Sequence, residues 1–198
     1  ISMLTRVKQE NESWGISDEE LYKALKTSLA GIRYKKILII PPDATRAHSG
    51  AGKITNMYYR MLTDTCDVDI MPALGTHAAM SENECAKMFG DIPYERFIVH
   101  NWRKDVVKIG EAPAAFVEEI SEGLMKEPIT FEVNKRLFDP SYDLIISVGQ
   151  VVPHEVVGMA NYTKNVLVGC GGSAIINASH YLGAIYGMER LMGKDFSP

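Results

Sequence analysis

Three cysteines in 198 residues, Cys66, Cys85 and Cys170, share no CxxC spacing and are odd in number. They supply neither a disulfide framework nor a zinc ribbon, and a reduced cytoplasmic setting is expected. No stretch of about 18 apolar residues occurs, so no transmembrane helix is expected. A basic excess is missing too. Lys plus Arg number 21 against 25 Asp plus Glu, a net charge of −4, and the cations are scattered. This argues against nucleic acid or an acidic membrane as a partner. The run Gly50-x-Gly52-Lys53 is not a P-loop, because the first glycine is lacking at the right offset and Ile54 stands where Ser or Thr belongs. There is no internal repeat, low-complexity tract or linker. The opening Ile1-Ser2-Met3 has no signal-peptide pattern, and Met3 is expected to be the native start.

What is present is ordinary globular material, 46% hydrophobic and 23% charged, of a size for one domain over 1–198. Ser17 and Glu20 form a capping box ahead of Leu21, Leu25 and Leu29, predicting a helix closed at Gly31. Lys36 to Ile40 reads as a strand, followed by a polar loop and a helix from Ile54 to Leu62, the first half of a βαβ unit. Val68 to Leu74 reads as a second strand, and Ser81 to Glu84 caps a helix through Phe89. Arg96 to Val99 predicts a short strand, residues 105–110 one arm of a hairpin, and Ala112 to Met125 an amphipathic helix. Residues 129–139 fit a strand or a short helix equally. The apolar run ending in Leu144-Ile145-Ile146-Ser147-Val148 predicts a buried strand that stops at Gly149. A last helix is expected after His180, through Met192. The expected fold is α/β, a largely parallel sheet with flanking helices and βαβ units. Its ligand loops gather at the carboxyl edge of the strands.

Chemistry-bearing residues fall on those loops. After the first strand comes Asp43-x-Thr45-Arg46, where a guanidinium is suited to fork a carboxylate or phosphate. The bland readings are a helix-proximal cap for Asp43 and a surface ion pair for Arg46. After the second strand comes Gly75-Thr76-His77. After the last come His154, Lys164 and His180, spaced H-x9-K-x15-H, with Gly171-Gly172 before the final histidine. Each of these alone is more often structural; their clustering on the loops of one βα series points to a site. His100 is left undecided and Trp102 reads as packing.

Pro153-His154, Lys164, Gly171-Gly172 and Ser179-His180, together with Asp43-x-Thr45-Arg46 and Gly75-Thr76-His77, resemble the signature of the nickel-pincer lactate racemase family. The resemblance covers most of residues 37–195. It implies an isomerase, a racemase or epimerase of a lactate-like 2-hydroxy acid. It also implies a nickel-pincer nucleotide attached covalently through Lys164, with His180 as the protein ligand to nickel and His77 and His154 as catalytic acid/bases. Asp43, Thr45, Arg46, Gly171 and Gly172 would contact cofactor or substrate. Enzymes of cofactor synthesis and nickel insertion would be partners. The family continues past this length, and Gly193 to Pro198 reads as the start of a loop. The chain is therefore expected to be the N-terminal catalytic part of a longer two-domain protein.

The residue types suit that chemistry. A carboxylate activates the neighbouring C–H of a 2-hydroxy acid weakly, so proton removal from carbon is difficult. Hydride removal gives a flat keto acid to which hydride can return on either face. That route needs a hydride acceptor, which a cofactor must supply, and a base for the hydroxyl proton on each face. Histidines serve as such bases near neutral pH, and neutral imidazole is a good nickel ligand. Two other readings stay open. One is a non-catalytic nucleotide- or phosphate-binding module. The other is a zinc hydrolase with His77, His154 and His180 as ligands.

Overall fold

The computed structural model describes residues 15–194 and residue 196; Met3, the expected start, lies outside them. Helix α1 spans Asp18–Ser28. The Ser17 side chain accepts from Glu20 N–H while the Glu20 carboxylate accepts from Ser17 N–H, so the capping box is formed. Leu25 and Leu29 pack against the core beneath.

Strand β1 is Lys36–Ile40, and Ile37 to Ile40 are wholly buried. Side chains alternate across a strand. Ile37 and Ile39 therefore join one apolar cluster with Tyr58, Leu62, Val68, Ile70 and Phe89, while Leu38 and Ile40 join another with Met71, Tyr142 and Cys170. Burial on both faces is why β1 is apolar throughout rather than alternating. It is followed by a short 3-10 segment, Ala44–Ser49, and helix α2, Ala51–Leu62. Gly52 in α2 lies so close to the Met88 carbonyl that a side chain there has no room. Strand β2 is Asp67–Ile70 and helix α3 is Glu82–Phe89, the latter entered through a second capping box, Ser81 with Glu84.

A second layer follows. Strand β3, Val106–Ala112, pairs antiparallel with β4, Ile129–Asn134. Between them helix α4 is only Ala114–Ile120. It is shorter than the apolar pattern suggested because Pro113 opens it and Glu122 and Gly123 take positive φ beyond its end. Of its expected apolar face, Val117 is fully buried, while Phe116 and the following Leu124 stay exposed. The ambiguous 129–139 region is both alternatives in turn, strand β4 and then a 3-10 turn, Lys135–Phe138. The strand expected over Arg96–Val99 does not form. A 3-10 turn, Tyr94–Arg96, leads to a single bridge between Phe97 and Ile70, after which the chain leaves the sheet to bury His100.

Strand β5, Leu144–Ser147, completes the main sheet. Its order is β2-β1-β5, and both pairings are parallel. The fold is α/β with a parallel sheet flanked by helices, as expected. A two-residue hairpin follows, β6 (Pro153–His154) with β7 (Gly158–Met159). Helices α5 (Thr163–Leu167), α6 (Ser173–Tyr186) and α7 (Met188–Leu191) close the described chain. Among the described residues no helix is long and apolar enough to cross a membrane.

Candidate active site

Parallel strands that share a direction deliver their outgoing loops to one edge. Here the loops after β1, β2 and β5 open onto a cavity of about 280 Å³, together with β6, α5 and α6. It is lined by Asp43, Thr45 and Arg46 from the first loop, Gly75 to His77 from the second, and Gly149 and Gln150 from the third. His154, Lys164 and His180 line it as well. Seven of the nine residues singled out by sequence thus face one cavity. The other two, Gly171 and Gly172, do not line it. They are close-approach positions instead. A Cβ on Gly171 would run into the Leu167 carbonyl, and one on Gly172 into the Glu132 carboxylate. Their smallness lets α5 and α6 pack onto β4.

His180 sits differently from its expected place. It lies within α6, which begins at Ser173, and not on a loop ahead of a helix. The helix starts early because Gly172, extended at φ −91° and ψ 179°, serves as its N-cap. Likewise the apolar run Asn165 to Val168 is mostly helix α5. Asn165 anchors that helix to the sheet edge. Its amide donates to the Ile40 carbonyl (3.1 Å) and the Ser147 hydroxyl (2.9 Å), at the ends of β1 and β5. Gly75 N–H donates to the Gly169 carbonyl (2.8 Å), fixing the second loop to the end of α5.

The partners of each imidazole decide its protonation pattern. Asp43 is buried, and its Oδ1 accepts from Thr45 N–H (3.2 Å) and Thr45 Oγ1 (2.5 Å). Its Oδ2 lies 2.5 Å from His77 Nδ1. A carboxylate only accepts, so Nδ1 carries a proton and Nε2 of neutral His77 is left with a lone pair. Asp43 is therefore both a local cap and the partner of a histidine 34 positions away. His180 Nδ1 lies 2.6 Å from the Ile176 carbonyl, one turn back on α6. It too donates through Nδ1, and Nε2 has the lone pair a metal requires. His154 is the reverse. Its Nδ1 accepts from Val156 N–H (3.1 Å), so its proton sits on Nε2. Burial first, then the Lys164 ammonium, hold His154 below the usual imidazole range.

Lys164 and Arg46 both line the cavity, and neither forms a salt bridge among the described residues. Burial and then the Arg46 charge lower the Lys164 pKa. An amine of lowered pKa is a better nucleophile near neutrality. The three cavity histidines do not form a common ligand group. Among the described residues no three His, Cys, Asp or Glu side chains are placed to hold one metal ion. The three-histidine zinc reading therefore has no formed site.

Four polar lining residues had no sequence signal: Gln150, Glu155, Asn161 and Asn165. Asn161 and Tyr162 are left-handed, at φ 64° and 49°. The Asn161 amide donates to the Gly149 carbonyl (3.0 Å), and its buried Oδ1 has no partner. An Asn-x-x-Lys loop after a hairpin could have flagged it, since asparagine tolerates this backbone conformation. His100, undecided from sequence, lies outside the cavity. It is buried with Nδ1 accepting from the Asn134 amide (2.9 Å) and Nε2 donating to the Gly171 carbonyl (3.0 Å).

No curated protein matches the chain. A crystal structure of a protein from Thermotoga maritima is similar over 92% of this chain, with 28% identity and a TM-score of 0.83; this chain spans 45% of that one. The family described as lactate racemase N-terminal domain matches residues 18–190, and the chain belongs to that family.

Proposed function

We propose that the protein is a racemase or epimerase of a small 2-hydroxy acid that works with a nickel-pincer nucleotide. The observation that carries this reading is the joint presence in one cavity of a partly buried, unpaired lysine, a histidine with its Nε2 lone pair free, and two further histidines of opposite protonation pattern. The donor set fits the group. Lys164 would hold it covalently and His180 Nε2 would ligate its nickel. Arg46 would meet the phosphate or the substrate carboxylate, and Asn161 Oδ1, buried without a partner, offers an acceptor to a donor on either. When bound, the group supplies the hydride acceptor that no side chain can provide.

The protein's own residues do the rest. Arg46 orients the substrate carboxylate, and His77 and His154 engage the hydroxyl. The cofactor-making and nickel-inserting enzymes are the partners this reading requires, and the cytoplasm the compartment. The portion of a longer protein beyond this chain would complete the site.

The test is intact mass and metal content, measured together on full-length protein co-expressed with the cofactor-making enzymes. A mass increment mapped to Lys164 with stoichiometric nickel is expected. An unmodified chain without nickel, beside a control protein that loads, sinks the proposal and favours the nucleotide- or phosphate-binding module.

A further inference from the structure

We infer that the cavity between the C-terminal ends of α1 and α2 is a second ligand site, taking a small amphipathic anion, one carboxylate-like head on an apolar tail. Lys35 and Cys66 place it at the amino ends of β1 and β2, across the sheet from the cavity of Lys164 and His180. It is independent of the function proposed for that cavity.

The floor is apolar. Leu29, Tyr34, Met61, Leu62 and Cys66 line a space of about 820 Å³, within the roughly 300–1,000 Å³ of small-molecule sites. Leu62 and Cys66 are buried, while Leu29, Tyr34 and Met61 pack against the main core and are only partly covered. No residue of α1 is fully buried, so this helix leaves one side of its apolar face open.

The rim is cationic. Lys26, Arg33 and Lys35 stand around the floor. None of them forms a salt bridge among the described residues. Lys26 is in the last turn of α1, where a cation answers the helix dipole. Arg33 and Lys35 lie beyond the helix and have no such reason to be there. Two carboxylates at this edge have other partners. Asp143 Oδ2 accepts from the backbone N–H groups of Lys35 (2.5 Å) and Lys36 (3.0 Å), and Asp67 is bridged by Arg96 and Lys36. Asp143 thus shares the field of Lys35 without pairing its ammonium.

Charge chooses among the occupants. A second copy docking by this face about a two-fold axis would set these cations against their own kind. Residues 1–14 carry Arg6 and Lys8 as well as Glu10 and Glu12, and bring no net negative charge. A small ligand with one anionic head answers the rim, and its tail removes apolar floor from water.

The test follows methionine methyls. The full chain, labelled with 13C at methionine methyls, is titrated with decanoate below its micelle concentration, with decanol and acetate as tail-only and head-only controls. Met61→Leu assigns the reporter. Decanoate is expected to shift the Met61 methyl saturably and to leave that of Met71, which is fully buried elsewhere, unmoved. Decanol and acetate should bind about tenfold more weakly or worse, and Arg33→Glu and Lys35→Glu should weaken decanoate as much, the worth of one charge-assisted contact. Ala30→Trp, at an exposed position of the lining, should block binding with an unchanged circular dichroism spectrum. Lys164→Ala should bind decanoate as wild type does. A silent Met61 methyl, or decanol binding as well as decanoate, overturns the inference. Loss of binding in Lys164→Ala does the same, by placing the anion in the other cavity. So does a chain that binds decanoate only after residues 1–14 are removed, because that segment is then the occupant.

Discussion

Replacing His100 by alanine tests how the site is built from behind. Its imidazole joins the Asn134 amide to the Gly171 carbonyl, and the residue is 2% exposed. Truncation strands one donor and one acceptor in the interior. An orphaned buried polar group costs about 1–3 kcal/mol, so the pair predicts a loss of about 2–6 kcal/mol, less whatever water recovers by entering the space. Equilibrium urea unfolding of wild type and His100→Ala, at about pH 7.5 and again near pH 5, measures it.

The second condition adds a sign. Burial holds the folded His100 pKa below its ordinary value of 6.5. On acidification the unfolded chain binds the proton first. The stabilisation is whole above about 6.5 and is lost as pH falls toward the folded value. The gap between wild type and variant should therefore narrow from the higher pH to the lower. His154 is lowered in the same direction but is present in both proteins, so it drops out of the difference. A gap below about 0.5 kcal/mol at the higher pH, within the range of an ordinary surface substitution, would refute the network. So would a gap that widens on acidification.

The other predictions concern the cavity. Lys164, lowered by burial and by Arg46, should undergo reductive methylation at mildly alkaline pH ahead of the solvated lysines, and Arg46→Met should slow it by raising that pKa; peptide mapping of the labelled sites decides. Lys164→Ala should abolish the covalent mass increment in co-expressed protein, and retained loading with full activity would remove Lys164 from the role. His180→Ala should lose nickel by elemental analysis while its far-ultraviolet circular dichroism stays that of wild type, since His180 is exposed on α6 and anchors no core. His77→Ala and His154→Ala should leave the cofactor bound and lower racemisation by about 10²–10⁴-fold, the usual worth of a positioned proton-handling group.

The parallel edge was the part most open to reading from sequence. The run Lys36 to Ile40 is apolar because both faces of β1 are covered, whereas β5, expected to be buried, lies at the sheet edge and leaves Ile145 exposed; both apolar runs still mark where their loops emerge. Asp43, Thr45, Arg46 and His77 could be named because they follow strands directly. The α5–α6 region was harder. Helix α6 reads Ser173-Ala-Ile-Ile-Asn-Ala-Ser-His-Tyr-Leu-Gly-Ala-Ile-Tyr186, small and apolar around most of its circumference, so little helical period shows, and the helix was expected only after His180. Helix α5 has five residues, too few for a period of 3.6 to declare itself. Asn165 was invisible for another reason. Its meaning is a hydrogen bond to the Ile40 carbonyl, across 125 positions, and no local pattern encodes that distance. Glycines 171 and 172 stood out as a pair ahead of His180. A glycine pair before a histidine signals close approach, and here what approaches is backbone and Glu132.

The cations of the cavity are not paired by side chains within it, among the described residues. Its carboxylate Asp43 is committed to Thr45 and His77, so it does not neutralise a ligand's cation or pair with Arg46. Glu155 Oε2 lies 3.8 Å from His154 Nδ1. Lys164 sits in the field of Arg46, and burial first and then that charge lower its pKa. Clustering like charges in a partly desolvated pocket works against the fold and is hard to explain as packing. The arrangement becomes favourable once an anion enters, because both cations then gain a partner without any movement of Asp43. The racemase and the phosphate-binding module share that anion. They part at His180, whose free Nε2 has a purpose when a metal accompanies the phosphate and none when the phosphate comes alone.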